Sequence, residues 1–270
     1  MKTIKRKTLL YKSNVEFEDY ALNHVEGCTH NCKYPCYARL MKKKTEKEWI
    51  DIAIVENAIK LLDEEIKSLK DKIKQVHLCF STDLFMYKQP EVINLSLQII
   101  KKLSDNNIKV KTLTKGEIPS DKIVEIENSR LLKVEDDLFA TREDNVINEY
   151  GITITSLNEN YRVRYEPDTA PFELRIRSLK ELSDNKLYTY VYCEPFSPAM
   201  TSIVEFKKLL NEIKFIKKIY FGSWQYNEKF SNKSTYKEYI NYLVDFCKDN
   251  NIEVKLKKEI AYLRYDSKGI

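Results

Sequence analysis

The stretch GCTHNCKYPCYA, residues 27–38, places Cys28, Cys32 and Cys36 within nine residues, whereas Cys79, Cys193 and Cys247 are scattered along the chain. Three thiolates on one short loop can hold three irons of a four-iron cluster and leave the fourth iron open. A structural zinc takes four ligands, usually as two close pairs, so His24 or His30 would have to complete a zinc site. A dithiol redox pair uses Cys-x-x-Cys, a spacing this loop lacks. The cluster fits the spacing best, and zinc and inert thiols stay open at this level. The three isolated cysteines read as small buried hydrophobes.

The rest of the composition bounds the setting. Hydrophobic residues make up 43% of the 270-residue chain, enough for a substantial core, and charged residues 32%, enough for a soluble surface. With 46 basic and 41 acidic residues the net charge is +5, which permits nucleic-acid binding without requiring it. No apolar run approaches the roughly 20 residues that span a bilayer. The opening MKTIKRKTLLYKSNVEFEDY is basic but has neither a long apolar core nor a small-residue cleavage site. No signal peptide is read there, and a cytoplasmic location is expected. In a reducing compartment clustered thiols point to metal rather than to disulfides.

Away from the loop, short β-branched runs alternate with longer amphipathic ones. KQVHLCFST, IKVKTLTKG, YGITITSL, KLYTYVYCEP, IKKIYFGS and IEVKL read as strands. PEVINLSLQIIKKLSDNN, PFELRIRSLKELSDN, IVEFKKLLNEIKF and TYKEYINYLVDFCKDN read as helices, and residues 46–72 as one long helix. Residues 128–148 fit the alternation least and are left as an insertion or an irregular stretch. Strands alternating with helices predict a parallel sheet, and at least five such units favour a full or partial barrel over an open sheet. Functional groups then gather at the carboxyl ends of the strands, which here read STD, TKG, TSLNE, CEPFSP and GSWQYN.

The stretch YALNHVEGCTHNCKYPCYAR resembles the cluster loop of radical S-adenosylmethionine enzymes. It is most similar to the spore photoproduct lyase-like branch, whose loop reads Asn-Pro-x-x-Gly-Cys-x-His-x-Cys-x-Tyr-Cys-Tyr-Ala. CFSTDLFMYKQPEVINLSLQIIKKLSDNNIKVKTLTKG and ITITSLNENYRVRYEPDTAPFELRIRSLKEL resemble later blocks of that branch in the same order, over roughly residues 20–225. The resemblance implies an α/β fold of the partial (β/α)6 TIM-barrel type in one domain spanning 1–270. Its core would cover about residues 20–230, with a helix–strand extension at 231–270. It implies a [4Fe-4S] cluster on Cys28, Cys32 and Cys36 and S-adenosylmethionine on the open iron. One electron would then cleave the cofactor to a 5′-deoxyadenosyl radical that abstracts hydrogen. It also implies a flavodoxin- or ferredoxin-type electron donor and no membrane partner. One departure stands out. The usual spacing is Cys-x3-Cys-x2-Cys, and here Pro35 makes it Cys-x3-Cys-x3-Cys. An extended Tyr34–Pro35 step that bulges outward would return Cys36 to its ligand position.

By the same resemblance Tyr34 and Tyr37 contact the adenine or shield the cluster, and Ser81, Thr82 and Asp83 meet the methionine end of the cofactor. Thr114 and Lys115 end the third strand, with Lys115 suited to a carboxylate. Ser156 reaches the ribose, and Arg175 clamps the cofactor carboxylate. Each has a plainer reading: packed aromatics, a helix cap at Asp83, a surface lysine. In that branch a cysteine donates hydrogen from a Cys-Thr-Ser-Asp turn. Here Phe80 stands in its place, and strand alternation would turn Cys79 to the opposite face, so thymine-dimer repair is not expected. A nucleic-acid base is the favoured substrate, with Trp224 and Tyr226 to stack on it and Lys217, Lys218 and Lys229 to meet phosphates. A peptide or small metabolite, and a non-catalytic zinc- or cluster-binding nucleic-acid module, are the alternatives.

Overall fold

The structure is a computed structural model that describes residues 1–13, 19–69, 72–136, 147–224 and 233–264. The chain opens with β1 (Lys2–Ile4), β2 (Leu10–Lys12), β3 (Tyr20–Leu22) and β4 (Val25–Glu26), followed by the cysteine loop and α1 (Tyr37–Met41). The segment read as one long helix is three elements: α2 (Glu46–Ile50), β5 (Ala53–Val55) and α3 (Ala58–Leu69). The reason lies in IDIAIV, an alternating β-branched run whose Ile52, Ala53 and Val55 are buried. β5 pairs parallel with β1 and antiparallel with β4 in a small three-stranded sheet. A Thr45–Glu48 capping box fixes the start of α2.

The alternating units then follow in order: β6 (Gln75–Leu78), α4 (Pro90–Ser104), β7 (Lys109–Thr114), α5 (Ser120–Asp136) and β8 (Glu149–Thr153). After α6 (Glu159–Tyr165) and α7 (Phe172–Asp184) come β9 (Tyr188–Phe196), α8 (Ile203–Glu212), β10 (Lys218–Ser223), α9 (Lys237–Asp249), β11 (Glu253–Leu256) and α10 (Lys258–Ala261). α4 shows why these runs are helices. Pro90 sits at its first turn, Val92, Ser96, Ile99, Ile100 and Leu103 form one buried stripe, and Lys101 and Lys102 sit at the negative end of its dipole. β8 is buried at all five positions, as a strand covered on both faces should be. Much of the stretch left as an insertion is helical, because α5 runs to Asp136; residues 137–146 lie outside the described ones.

The main sheet has the order β11-β10-β9-β8-β7-β6-β3-β2. Every pair is parallel except β2 with β3. From β6 to β11 each strand lies beside its sequence neighbour, the winding that single-direction βα crossovers produce, and β3 joins at β6 after β4 and β5 leave for the small sheet. Among the described residues the sheet stays open, with β11 and β2 as its edges, and no barrel closes. Seven strands run parallel, one more than a (β/α)6 unit, because β11 from the expected carboxyl-terminal extension pairs directly with β10. No helix among the described residues is long and apolar enough to cross a membrane.

Candidate active site

The cysteine loop is built before any metal is considered. Gly27 has φ +79°, and a Cβ there would lie 2.5 Å from the Trp49 carbonyl oxygen, so only glycine lets the loop pass α2. The next residue uses that approach: Cys28 N–H donates to Trp49 O at 2.8 Å. On the far side Lys33 N–H donates to Tyr165 O at 2.8 Å. Cys36 forms the N-terminal cap of α1, with its carbonyl accepting from Leu40 N at 3.0 Å. Cys28, Cys32 and Cys36 all line one cavity of about 440 Å³ at the carboxyl ends of β6 to β10. The Pro35 insertion therefore leaves Cys36 beside its partners. Tyr34, just before the inserted proline, is buried, 6% exposed, and its hydroxyl donates to Glu166 Oε1 at 3.0 Å. Its ring packs edge-on to Trp224, 5.5 Å between centroids, and lies under Lys115 Nζ at 4.4 Å.

Two buried carboxylates tie this loop to the strand ends. Asp83 Oδ1 accepts from Thr114 Oγ1 at 2.6 Å and Phe85 N at 2.9 Å, while Oδ2 accepts from Lys115 N at 2.8 Å. His30 Nδ1 stands 3.4 Å from the same Oδ2. Asp83 thus joins the cysteine loop to the end of β7, and it also makes the local turn that the plainer reading anticipates. Glu166 is the second hub. It accepts from Arg175 Nη2 at 2.8 Å and from Tyr34, and pairs with Lys115 Nζ at 3.2 Å. Burial pushes its pKa up, but Lys115 and Arg175 outweigh burial and hold the carboxyl below its ordinary value.

Arg175 is fully buried and does not line the cavity. Its donors go to Ala170 O at 2.9 Å, Thr153 O at 3.0 Å, Glu166 and Thr169 Oγ1. It braces the site rather than standing free to clamp a cofactor carboxylate. Ser156 is likewise off the cavity, its hydroxyl accepting from Asn158 N at 3.0 Å. Tyr34, Tyr37, Ser81, Thr82, Asp83, Thr114 and Lys115 do line it. The Tyr37 hydroxyl donates to Phe80 O, which joins α1 to the turn after β6.

Cys79 is placed differently from the strand-alternation expectation. β6 ends at Leu78 and Cys79 has φ +54°, so alternation has already stopped, and both Cys79 and Phe80 line the cavity. Cys79 Sγ lies 3.3 Å from His24 Nδ1, and His24 Nε2 lies 2.8 Å from Ser96 Oγ. Burial pushes the Cys79 thiol up to about 12 and holds His24 at about 4, so both are neutral near pH 7. The lining also includes Thr153, Tyr192, Glu194, Ser223 and Lys257, none of which sequence reasoning assigned. Glu194 is in the CEPFSP strand end, and a carboxylate closing an otherwise buried strand is the signal that marks it. Gly222 makes room for it: a Cβ there would meet the Glu194 side chain at 2.7 Å.

The donor set is three thiols of one loop beside two histidines. All three loop cysteines are free thiols. Burial pushes Cys28 well above the ordinary thiol value, with Asp83 and Cys32 adding to the rise, and pushes Cys32 up to about 12. Thiols held neutral in this way ionise when a cationic centre is beside them, and soft thiolates suit iron. A four-iron cluster takes its three thiolates on three different irons, one thiol to each. Neither histidine is open as a fourth zinc ligand: His30 is held between Asp83 and Tyr87 N, and His24 between Cys79 and Ser96.

Of the residues expected to meet nucleic acid near the last strands, Trp224 lines the cavity, whereas Lys217 and Lys218 do not. Lys218 begins β10, at the opposite end of the sheet, where it pairs with Glu149 at 3.8 Å and Glu253 at 3.3 Å. Lys217 precedes it at the same end. Trp224 is buried against Tyr34 and Tyr165 rather than presented to solvent. Tyr226 and Lys229 lie outside the described residues.

No protein-family profile matches the chain. An uncharacterized protein of Methanocaldococcus jannaschii is 25% identical over 271 residues, covering 93% of this chain and 95% of that one. Among solved structures, spore photoproduct lyase complexed with dinucleoside spore photoproduct superposes with a TM-score of 0.62 at 14% identity, covering 94% of this chain and 81% of that one. A double mutant of that enzyme with bound AdoMet and the dinucleoside has a TM-score of 0.60 at 14% identity, with coverages of 93% and 80%. A single-site mutant reaches 0.65 at 12%, with coverages of 94% and 81%. The chain therefore shares the fold of spore photoproduct lyase, a radical S-adenosylmethionine enzyme, and the resemblance read from the sequence holds at that level.

Proposed function

We propose that this chain is a radical S-adenosylmethionine enzyme of one catalytic domain, with a [4Fe-4S] cluster on Cys28, Cys32 and Cys36 and a nucleic-acid base as substrate. The observation that carries the reading is that all three loop cysteines line one cavity at the carboxyl ends of a parallel sheet. When bound, the cluster and S-adenosylmethionine supply the one-electron chemistry that takes hydrogen from an unactivated carbon. The residues of the chain hold and shield that chemistry. Tyr37, Ser81, Thr82 and Lys115 line the wall beside the thiols and are the contacts proposed for the cofactor. Asp83 and Thr114 line the same wall but spend their polar atoms on each other and on the Lys115 backbone, so they fix it in place. The Tyr34 ring, backed by Trp224, closes one side against water. The electron comes from a flavodoxin- or ferredoxin-type carrier.

The base as substrate is supported by the fold relatives solved with a dinucleoside bound. Cys79 lines the cavity but its Sγ is turned to His24, and Phe80 stands in the donor position, so thymine-dimer repair stays set aside. The test is anaerobic reconstitution followed by iron and sulfide analysis. Under dithionite the chain should release 5′-deoxyadenosine from S-adenosylmethionine, and Cys28→Ala, Cys32→Ala and Cys36→Ala should each abolish the cluster. Full iron retention in Cys36→Ala would remove that thiol from the ligand set. Tight zinc binding with no cleavage would replace the enzyme with a metal-stapled binding module.

A further inference from the structure

We infer that the turn between α1 and α2 is the phosphate-binding rim of the site, gripping a single strand of nucleic acid whose base enters the cavity. This rests on the nucleic-acid reading above and assigns it a surface.

One dense run of positive charge lies there. Residues 33–48 contain six basic and two acidic residues, a net of +4. Glu46 is already taken, 3.0 Å from Lys33 Nζ and 3.2 Å from Arg39 Nη1, and Glu48 caps α2 at Thr45. Lys42, Lys43, Lys44 and Lys47 are exposed and, among the described residues, stand in no ion pair. Three of the amino-terminal basic residues are different: Lys2, Lys5 and Arg6 pair with Asp51, Glu56 and Glu26. The lysine turn is also held in place by its backbone. Lys42 N, Lys43 N and Lys44 N donate to Ala38 O, Leu40 O and Arg39 O at 3.0–3.2 Å, and Lys43 takes φ +52° to close it.

Position selects the partner. α1 is a wall of the cavity, with Tyr37, Ala38 and Met41 on its lining. The lysines continue outward from that wall, so whatever they hold lies across the mouth. Met41 and Leu40, 69% and 49% exposed, sit between the lysines and the mouth and offer an apolar surface to a neighbouring base. A folded acidic redox carrier would fit the charge, but seated there it would cap the cavity and shut out the substrate. A polyanionic strand can lie on the lysines and still pass one base inward, as base-modifying enzymes require.

The experiment is fluorescence anisotropy of a labelled oligo(dT) with the full chain across a salt series from about 50 to 200 mM. Wild type should bind with steep salt dependence. Changing Lys42, Lys43, Lys44 and Lys47 together to Ala should weaken binding about tenfold or more, and lower the log–log salt slope by up to about 2.8, at about 0.7 per lost phosphate contact. A control that removes equal charge elsewhere, Lys67, Lys208, Lys214 and Lys217 to Ala, should bind as wild type. No binding by wild type overturns the nucleic-acid reading itself. Binding that survives the rim substitutions, or falls equally in the control, overturns the rim alone. Intact oligonucleotide binding with slowed cluster reduction by a flavodoxin-type protein would hand the surface to the carrier.

Discussion

The two ends of the main sheet are both charged and are built on different plans. At the amino end, Glu149 pairs with Lys109 at 2.6 Å and Lys218 at 3.8 Å, and Glu253 meets Lys218 at 3.3 Å. These are strand-to-strand pairs with at least one member reaching solvent. At the carboxyl end, Asp83 and Glu166 are buried and each serves donors from several elements: the cysteine loop, β7 and, for Glu166, α7. Between the ends lies buried Lys111, its Nζ 3.2 Å from the Tyr220 hydroxyl and over the rings of Tyr190, Tyr192 and Tyr220. The amino end is fastened pair by pair. The carboxyl end hangs on two acids, and the shape of the cavity depends on both.

Substitution at a hub should have the largest effect on stability. Glu166→Gln leaves Arg175 and Lys115 without their charge partner in a buried setting and should cost about 3–5 kcal/mol in urea unfolding. A loss below about 1 kcal/mol would erase the distinction between the ends. The next effect is on pH. Burial holds His24 at about 4, whereas an unfolded histidine titrates near about 6.5, so acid protonates the unfolded chain first. The stability contributed by neutral His24 is complete above about pH 6.5 and is lost as pH falls towards 4, about 3 kcal/mol in all. Urea midpoints measured down to about pH 4 should show that fall, and His24→Gln should flatten it. The smallest effect belongs to the amino end. Lys109→Met should change stability by about 1 kcal/mol or less, because Lys218 still faces Glu149. A cost matching that of Glu166→Gln would show that both ends are equally dependent on single groups.

The sequence carried the parallel order and the thiol loop clearly, because each is written locally. The β-branched runs and amphipathic stripes specify strands and helices, and three cysteines in nine residues specify a site. What stayed hidden was set by tertiary contact. Residues 46–72 keep helical composition, and only pairing with β1 and β4 makes a strand of 53–55. Arg175 follows the family pattern, yet its direction depends on Thr153, Thr169, Ala170 and Glu166, distant or undistinguished in sequence. Glu166 stood inside the quoted YEPDTAP stretch, where nothing local separates a buried hub from a loop acid. Cys79 escaped because alternation holds only while a strand lasts, and its positive φ ends the rule one residue early.

The cysteine loop is held by Trp49 O, Tyr165 O and the Tyr34–Glu166 bond, and none of these uses a sulfur. Its shape is thus a product of the polypeptide alone. In a zinc finger the metal and the fold arrive together, and stripping one destroys the other. Under the function proposed above the order of events would separate: the loop would fold on its backbone contacts, and iron and sulfide would be added to a fold already made.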